Sequence, residues 1–315
     1  MKSRQSIAEQ VSQYIQFKRS CGYKFETQGK ELILFAKYAE ITGHKGPMTL
    51  ELAVRLARLP ENADRRYWAA RYGHVRRFGQ YISLFHSDTE ILPKGLLGKS
   101  KRRIPPHIYS EGEIEALLKA ASNLSPKNGL TPRTYVTLFG LLLSTGLRIS
   151  EALNLSCETV DLKTGILTIK DTKFKKSRLV PVHPSTLEAL RRYMDFKQSY
   201  HLKVRSKMVF LNENGTPVNY YGVLYVFIKL SKKLGLRNAG KKPKIHSMRH
   251  SFAVRRMLKW YQEGADLNTK ILALSTYLGH VEIRDTYWYL SAVPELLTIV
   301  SERFENFANH KGGEI

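Results

Sequence analysis

Apolar positions recur three and four apart along most of this chain, a spacing that predicts a protein built mainly of helices. Ile7, Val11, Tyr14, Ile15 and Lys18 set a first amphipathic stripe that ends near Gly22. A second runs through Leu32, Phe35, Ala36 and Ala39, with Thr27 as its cap and Thr42-Gly43 as its stop. Thr49 opens a third through Leu52, Ala53, Leu56 and Ala57, halted before Pro60. Asn62 or Asp64 opens a fourth, with Trp68, Tyr72, Val75, Tyr81, Ile82 and Phe85 on a broad apolar face. Its other face holds Arg65, Arg66, Arg71, Arg76 and Arg77, which reads either as a solvated surface or as a row of phosphate contacts. From Ser87 to Ser110 the periodicity lapses. Pro93, Gly95, Gly98, Pro105, Pro106 and the basic residues Lys99, Lys101, Arg102 and Arg103 read there as a connector.

The helical pattern resumes with a capping box at Ser110-Glu-Gly-Glu113, followed by Ile114, Leu117 and Leu118. Thr131-Pro132 starts a long apolar helix through Leu143, and Gly146 ends it just before Arg148. Alternation then replaces the helical period. Ile166–Ile169 and Arg178–Val182 predict a β-hairpin around a lysine-rich turn, Lys170 to Lys176. Ser185-Thr-Leu-Glu188 reads as a second capping box and Met208–Leu211 as a short strand. Further helices are expected from about Asn219, His246, Asn268 and Glu282, with a last one from Pro294 to Phe307. The chain thus divides into a helical unit (1–98), a basic linker (99–109) and a larger unit (110–315), mainly α with a small β-sheet.

Charge narrows the partner. The 315 residues carry 51 Lys and Arg against 27 Asp and Glu, a net +24, which points to a polyanion and first to nucleic acid. Residues 1–100 hold a net +8 and the remaining 215 a net +16, so both units are expected to touch it. Cys21 and Cys157 form no CxxC pair and no disulfide framework, consistent with a reducing compartment. No apolar run reaches membrane-span length and no signal peptide precedes the first helix, so a cytoplasmic protein without membrane contact is expected.

The candidate chemistry lies in Thr145-Gly-Leu-Arg148-Ile-Ser-Glu151, Lys244-Ile-His246-Ser-Met-Arg249-His250, Tyr277-Leu-Gly-His280 and Tyr287-Trp-Tyr289. Arg148 and Glu151, like His246 and Arg249, are three apart and share a helix face. Two arginines, two histidines, an acid and a tyrosine suit chemistry on a phosphodiester, with tyrosine as nucleophile and cations around the phosphoryl group. Tyr287 and Tyr289 sit about 200° apart on a helix, so only one of them faces the site. A metal reading of the His246/His250 pair fails, because the zinc-protease pattern needs Glu where Ser247 stands. No Walker loop occurs either, and neither metal nor cofactor is expected.

Taken in order, these motifs resemble the tyrosine recombinases of the phage-integrase family, over residues 110 to 300. The resemblance implies an N-terminal helical, SAM-like core-binding domain joined to a tyrosine-recombinase catalytic domain, closing as a clamp on double-stranded DNA. It implies Tyr289 as nucleophile, Arg148 and Arg249 on the scissile phosphate, and Lys173 in the hairpin turn protonating the departing 5′ oxygen. His246 and His280 complete the pocket, and Glu151 orients Arg148 or a histidine. Arg65, Arg66, Arg76, Arg77, Lys101, Arg102 and Arg103 are the expected DNA contacts. The product is a 3′-phosphotyrosine link, made and resealed by a homotetramer that pairs two sites. The segment after Pro294 either docks on a neighbouring protomer or folds back on its own core. Two features depart from the family. The His246–His280 interval is longer than in compact Xer-type members, and no extra module precedes the first helical unit, which leans towards simple recombinases acting at short core sites, such as chromosome-dimer or transposon-borne enzymes. A DNA-binding protein without catalysis and a type IB topoisomerase-like enzyme are the alternatives.

Overall fold

The computed structural model describes residues 5–100, 105–170, 177–200, 206–238 and 243–292. The chain separates into two units at Arg103/Ile104.

In the first unit, Ser6 and Glu9 form a reciprocal capping box that starts α1 (Ile7–Ser20). Helix α2 (Glu26–Ile41) does not start from Thr27. Its N-cap is Phe25, in the left-handed region at φ 48° with no side-chain cap. That conformation costs a non-glycine residue about 1–2 kcal/mol, and the Phe25 ring packs edge-on against Tyr14, centroids 5.6 Å apart. Helix α3 (Leu50–Ala57) is capped by Thr49 and α4 (Arg65–Ile82) by Asp64. Leu32, Phe35, Ala53, Val75 and Phe78 meet in the core.

Two expectations for α4 change. Phe85 lies beyond the helix end and is exposed, so the apolar stripe stops at Ile82. Arg71 is not on the solvent face: it is 6% exposed, its Nε lies 2.9 Å from Glu31 Oε2, and its Nη1 donates to the Leu59 carbonyl. Residues after Ser87 are less of a connector than their composition suggests. Leu92 is buried in the core, and the Tyr72 hydroxyl donates to the Pro93 carbonyl at 2.9 Å.

The second unit is built around α6 (Leu130–Thr145), which packs against α5 (Glu111–Ser122), α8 (Pro184–Ser199) and α10 (His246–Gln262). Leu138, Phe139, Leu141 and Leu142 of α6 are all buried. Glu213 caps its start, accepting from the Leu130 N–H at 3.1 Å and the Thr131 N–H at 2.5 Å. A short α7 (Ile149–Leu153) leads to an antiparallel sheet in the order β1 (Val160–Asp161), β2 (Ile166–Ile169) and β3 (Arg178–Pro181). The β2–β3 pair matches the predicted hairpin, and β1 is an added strand. Met208 and Leu211 make only isolated bridges, because their partners Ser156 and Pro217 do not continue as strands. Helix α8 is capped by His183, whose Nδ1 accepts from the Ser185 N–H; Glu188 turns instead to Arg191. Among the described residues, helices α9 (Tyr220–Lys233), α11 (Leu267–Leu278) and α12 (Arg284–Ala292) complete the unit. Met248 of α10 sits in the α6 core, while Phe252, Val254 and Met257 pack with α11 and with Tyr289 of α12. Helix α10 therefore ties the two cores together. Among the described residues, no helix is long and apolar enough to cross a membrane.

Candidate active site

Three helix ends deliver the charged groups. Helix α6 closes at Gly146, whose φ of 63° a side chain would resist and whose N–H returns to the Leu142 carbonyl at 3.0 Å. Two residues on, Arg148 caps α7. Its backbone N–H donates to Glu151 Oε2 at 2.9 Å and its Nη1 to Glu151 Oε1 at 2.7 Å. Helix α11 ends likewise at Gly279, φ 67°, and hands the chain to His280.

The last carbonyls of α11 are the anchor of the site. The Tyr277 carbonyl accepts from Arg178 Nε at 2.8 Å, Leu278 from Arg249 Nη2 at 2.7 Å and Gly279 from Arg148 Nη2 at 2.9 Å. A helix C-terminus leaves such carbonyls unpaired and carries partial negative charge, so it suits three guanidinium groups. Arg249 also donates from Nη1 to the Gly146 carbonyl at 2.8 Å, which joins the ends of α6 and α11. By these bonds Arg148 engages two of its five N–H donors, and the remainder suit an anion.

Glu151 sits beneath the arginines with its side chain 6% exposed. Arg178 grips it from the other side through two parallel bonds, 3.0 and 2.9 Å. Burial works to raise the carboxyl pKa, but the bonds from Arg178 and Arg148 prevail and hold it down to about 2. It is a full anion between two cations. The sequence marks Arg178 only as a strand residue, its single signal being a charge at the start of a strand.

Tyr289 points into this cluster and is 2% exposed, whereas Tyr287 is 41% exposed. Burial raises the phenol pKa and the Arg249 guanidinium beside it works the other way. The Tyr289 hydroxyl lies 3.1 Å from His250 Nδ1. His280 Nδ1 is 2.7 Å from the Oγ1 of fully buried Thr286. Burial, then Arg249 and Arg148, lowers the His280 pKa to about 4. His246 stands at the exposed mouth of the cluster, and its pKa too is lowered to about 4, by partial desolvation followed by Arg249 and Arg148. Neutral imidazoles and permanent cations thus share one cleft. Arg249 is itself 1% exposed, and burial lowers its pKa to about 10, which leaves it charged at neutral pH.

The structure therefore brings Arg148, Glu151, His246, Arg249, His280 and Tyr289 together and adds Arg178, His250 and Thr286. Lys173 lies outside the described residues, as do Lys101, Arg102, Arg103 and the segment after Pro294. On α4, Arg65, Arg66 and Arg77 are exposed and Arg76 is half-buried. Arg66 is paired with Asp64 at 2.9 Å. Arg65 lines, with Arg58, Trp68 and Lys99, a groove of about 620 Å³. His246 and His250 pack edge-on at 4.6 Å, and no group of three His, Cys, Asp or Glu that suits a metal occurs among the described residues.

Residues 108–295 match the phage integrase family. The chain is 38% identical over 308 residues to the putative integrase/recombinase y4rB of Sinorhizobium fredii, covering 95% of this chain and 97% of that one. It is 32% identical to the tyrosine recombinase XerC of Lacticaseibacillus casei, over 61% of this chain and 60% of that one. Among solved structures, the Tn1549 transposon integrase in complex with transposon right-end DNA aligns with a TM-score of 0.68 at 16% identity, covering 96% of this chain and all of that one. The recombinase XerH bound to its palindromic difH substrate aligns at 0.64 with 19% identity, over 89% of this chain and 79% of that one. The chain belongs to the phage integrase family and is a tyrosine recombinase.

Proposed function

We propose that this enzyme cuts and rejoins double-stranded DNA at a specific site, using Tyr289 as nucleophile, in the integration, excision or resolution of a mobile element. The observation that supports it most is the placement of one buried phenol hydroxyl beside Arg249, within a cleft that Arg148, His246 and His280 also line. A phenol with a pKa near or above ~10 is protonated at neutral pH, so attack requires both a proton acceptor and cations that stabilise the charge on the phosphoryl oxygens. Arg148 and Arg249 supply the cations. Glu151 and Arg178 hold Arg148 in place. Lys173 is assigned to protonate the 5′ oxygen as it leaves, and His246 and His280 to donate to the phosphate or take up protons. The broken bond is conserved as a phosphotyrosine ester, so resealing needs no nucleotide. A tetramer pairing two DNA sites completes the reading, with Arg65, Arg66, Arg76 and Arg77 on the backbone of the bound duplex. Work on chromosomal or element DNA supports a cytoplasmic location.

The test uses nicked duplexes drawn from the DNA flanking the gene, mixed with wild type, Tyr289→Phe and Tyr287→Phe and run on denaturing gels. A covalent protein–DNA adduct is expected with wild type and Tyr287→Phe and is expected to vanish with Tyr289→Phe. An adduct that survives Tyr289→Phe refutes the assignment. Binding without any adduct across the flanking sequences favours a DNA-binding protein without catalysis.

A further inference from the structure

His250 stands one turn beyond His246 on α10, and none of the roles assigned to Tyr289, the arginines, Lys173, His246 and His280 falls to it. Its surroundings are built with care for one atom. The ring is packed edge-on by His246 at 4.6 Å, and by Trp288 at 5.7 Å and Tyr289 at 5.4 Å, which fixes its plane. Its Nδ1 then meets the Tyr289 hydroxyl at 3.1 Å. That contact is a hydrogen bond of ordinary length, and its direction is set by the imidazole tautomer. With the neutral imidazole protonated at Nε2, Nδ1 carries the lone pair and the Tyr289 hydroxyl is the donor, its proton the one to be given away. Nδ1 is the acceptor in place to receive it.

The charged and titratable groups facing His250 are His246 and Arg249 from α10, Lys244 just before it, His280 from the end of α11, and Tyr289 from α12. Burial, then these cations and rings, lower the His250 pKa to about 3, so in the free enzyme the imidazole is neutral with a lone pair available. A scissile phosphodiester brings a negative charge against the same arginines, and charge develops on the phenol oxygen as it attacks. Both changes favour a proton on His250 at the moment it is needed.

We propose that His250 takes the Tyr289 proton during strand cleavage and returns it during resealing, an assignment that rests on Tyr289 being the nucleophile. In cleavage the hydroxyl proton moves to Nδ1, the oxygen's electron pair forms the O–P bond, and the P–O5′ bond breaks. The 5′ oxygen leaves with that pair and is protonated by a separate acid. In resealing the 5′ hydroxyl returns its proton to the conjugate base of that acid and attacks phosphorus, the P–O bond to Tyr289 breaks with its pair on the phenol oxygen, and the phenolate recovers its proton from His250. No redox step enters.

The experiment compares wild type, Tyr289→Phe, His250→Ala and His250→Asn on nicked duplexes carrying either an ordinary phosphodiester or a 5′-bridging phosphorothiolate. Sulfur leaves without a proton, so the second substrate bypasses the leaving-group acid and still requires the phenol to ionise. Asn keeps an acceptor oxygen near the Nδ1 position and cannot carry the proton. Both His250 variants are expected to bind DNA as wild type does and to cleave about 10²-fold more slowly, the lower range for losing a general base. The defect should persist on the phosphorothiolate, diminish as pH rises, and be relieved in His250→Ala by added imidazole. Wild-type rates in His250→Asn, or rescue by the sulfur leaving group, would overturn the assignment. If Ala disturbs α10, seen as lost DNA binding, the Asn variant on the two substrates decides alone. Absence of an adduct with wild type, or its persistence in Tyr289→Phe, refutes the nucleophile itself. An adduct through Tyr289 that ignores His250 refutes only the proton transfer to His250.

Discussion

Glu151 shows how one residue sets the electrostatics of a site it does not line directly. Its side chain is 6% exposed and meets both Arg148 and Arg178. Replacing it with Gln leaves two guanidinium groups facing a neutral amide, and removal of one partner from a buried pair costs about 3–5 kcal/mol, less here because Arg148 is one-third exposed. Glu151→Gln is expected to lower the denaturant midpoint at pH 7 and to reduce adduct formation, since Arg148 loses its orientation. The folded carboxyl titrates near 2, below its ordinary value of 4.5. Its stabilisation is therefore complete above about pH 4.5 and fades as pH falls towards 2, a contribution on the order of 3 kcal/mol. Unfolding curves at pH 7 and pH 3 should show wild type and Glu151→Gln converging at the lower pH. A gap that stays constant would contradict the low pKa. The Arg148–Glu151 pair is legible in the sequence because the two residues are three apart. Arg178 is not, because it reaches Glu151 across 27 positions, and such a pairing is made only by the fold. His250 stands out in the sequence only as a metal candidate, since periodicity shows what shares a face and not what lies opposite it.

The elements that carry the site are helix ends, and the glycines there are under the tightest constraint. Gly279 has φ 67°, and a Cβ added to it would stand 2.9 Å from Arg178 Nη1 and 3.1 Å from its Cζ. Gly279→Ala thus combines left-handed strain of about 1–2 kcal/mol with displacement of the guanidinium that holds Glu151. We expect a lower melting temperature and a fall in cleavage larger than the fall in DNA affinity, because His280 and the Tyr277–Gly279 carbonyls move together. Equal loss of both would assign Gly279 to folding alone. Gly264, also at positive φ but with open space around its Cβ position, is the control: Ala there should destabilise through strain and leave cleavage near wild type. The chain announces several of these boundaries. Ser110 and Glu113 form their capping box and Gly146 ends α6 as its pattern requires. Ser185 and Glu188 have the same spacing as a box, yet His183-Pro184 starts the helix two residues earlier. Thr27 loses its place to Phe25, whose ring finds Tyr14 and anchors a start that local propensity disfavours. Both misses are tertiary or near-neighbour effects that a four-residue motif does not contain.

At the scale of the whole molecule the excess of positive charge, net +24, sets how DNA is held, and α4 allows that contribution to be divided. Arg76 and Arg77 sit adjacent on the helix, half-buried and exposed, while Arg71 on the same helix is buried against Glu31. Composition treats the three alike. If Arg76 and Arg77 each neutralise one phosphate, the double variant Arg76→Ala/Arg77→Ala releases fewer counterions, and the slope of log K against log salt should shrink by about 0.9 for each phosphate no longer neutralised. Binding should weaken on specific and unrelated duplexes by similar factors, and cleavage per bound complex should be unchanged, since neither residue belongs to the Tyr289 cluster. Arg66, already paired with Asp64, should contribute less than either. Arg71→Ala should do the opposite: little change in salt slope, but a marked loss of thermal stability as Glu31 is left without its buried partner. Fluorescence anisotropy across a salt series, with melting curves on the same samples, separates the two behaviours. A reduced slope for Arg71→Ala with unchanged stability would mean that the arginine leaves its pocket for DNA. An unchanged slope for the double variant would remove this face of α4 from the DNA contact.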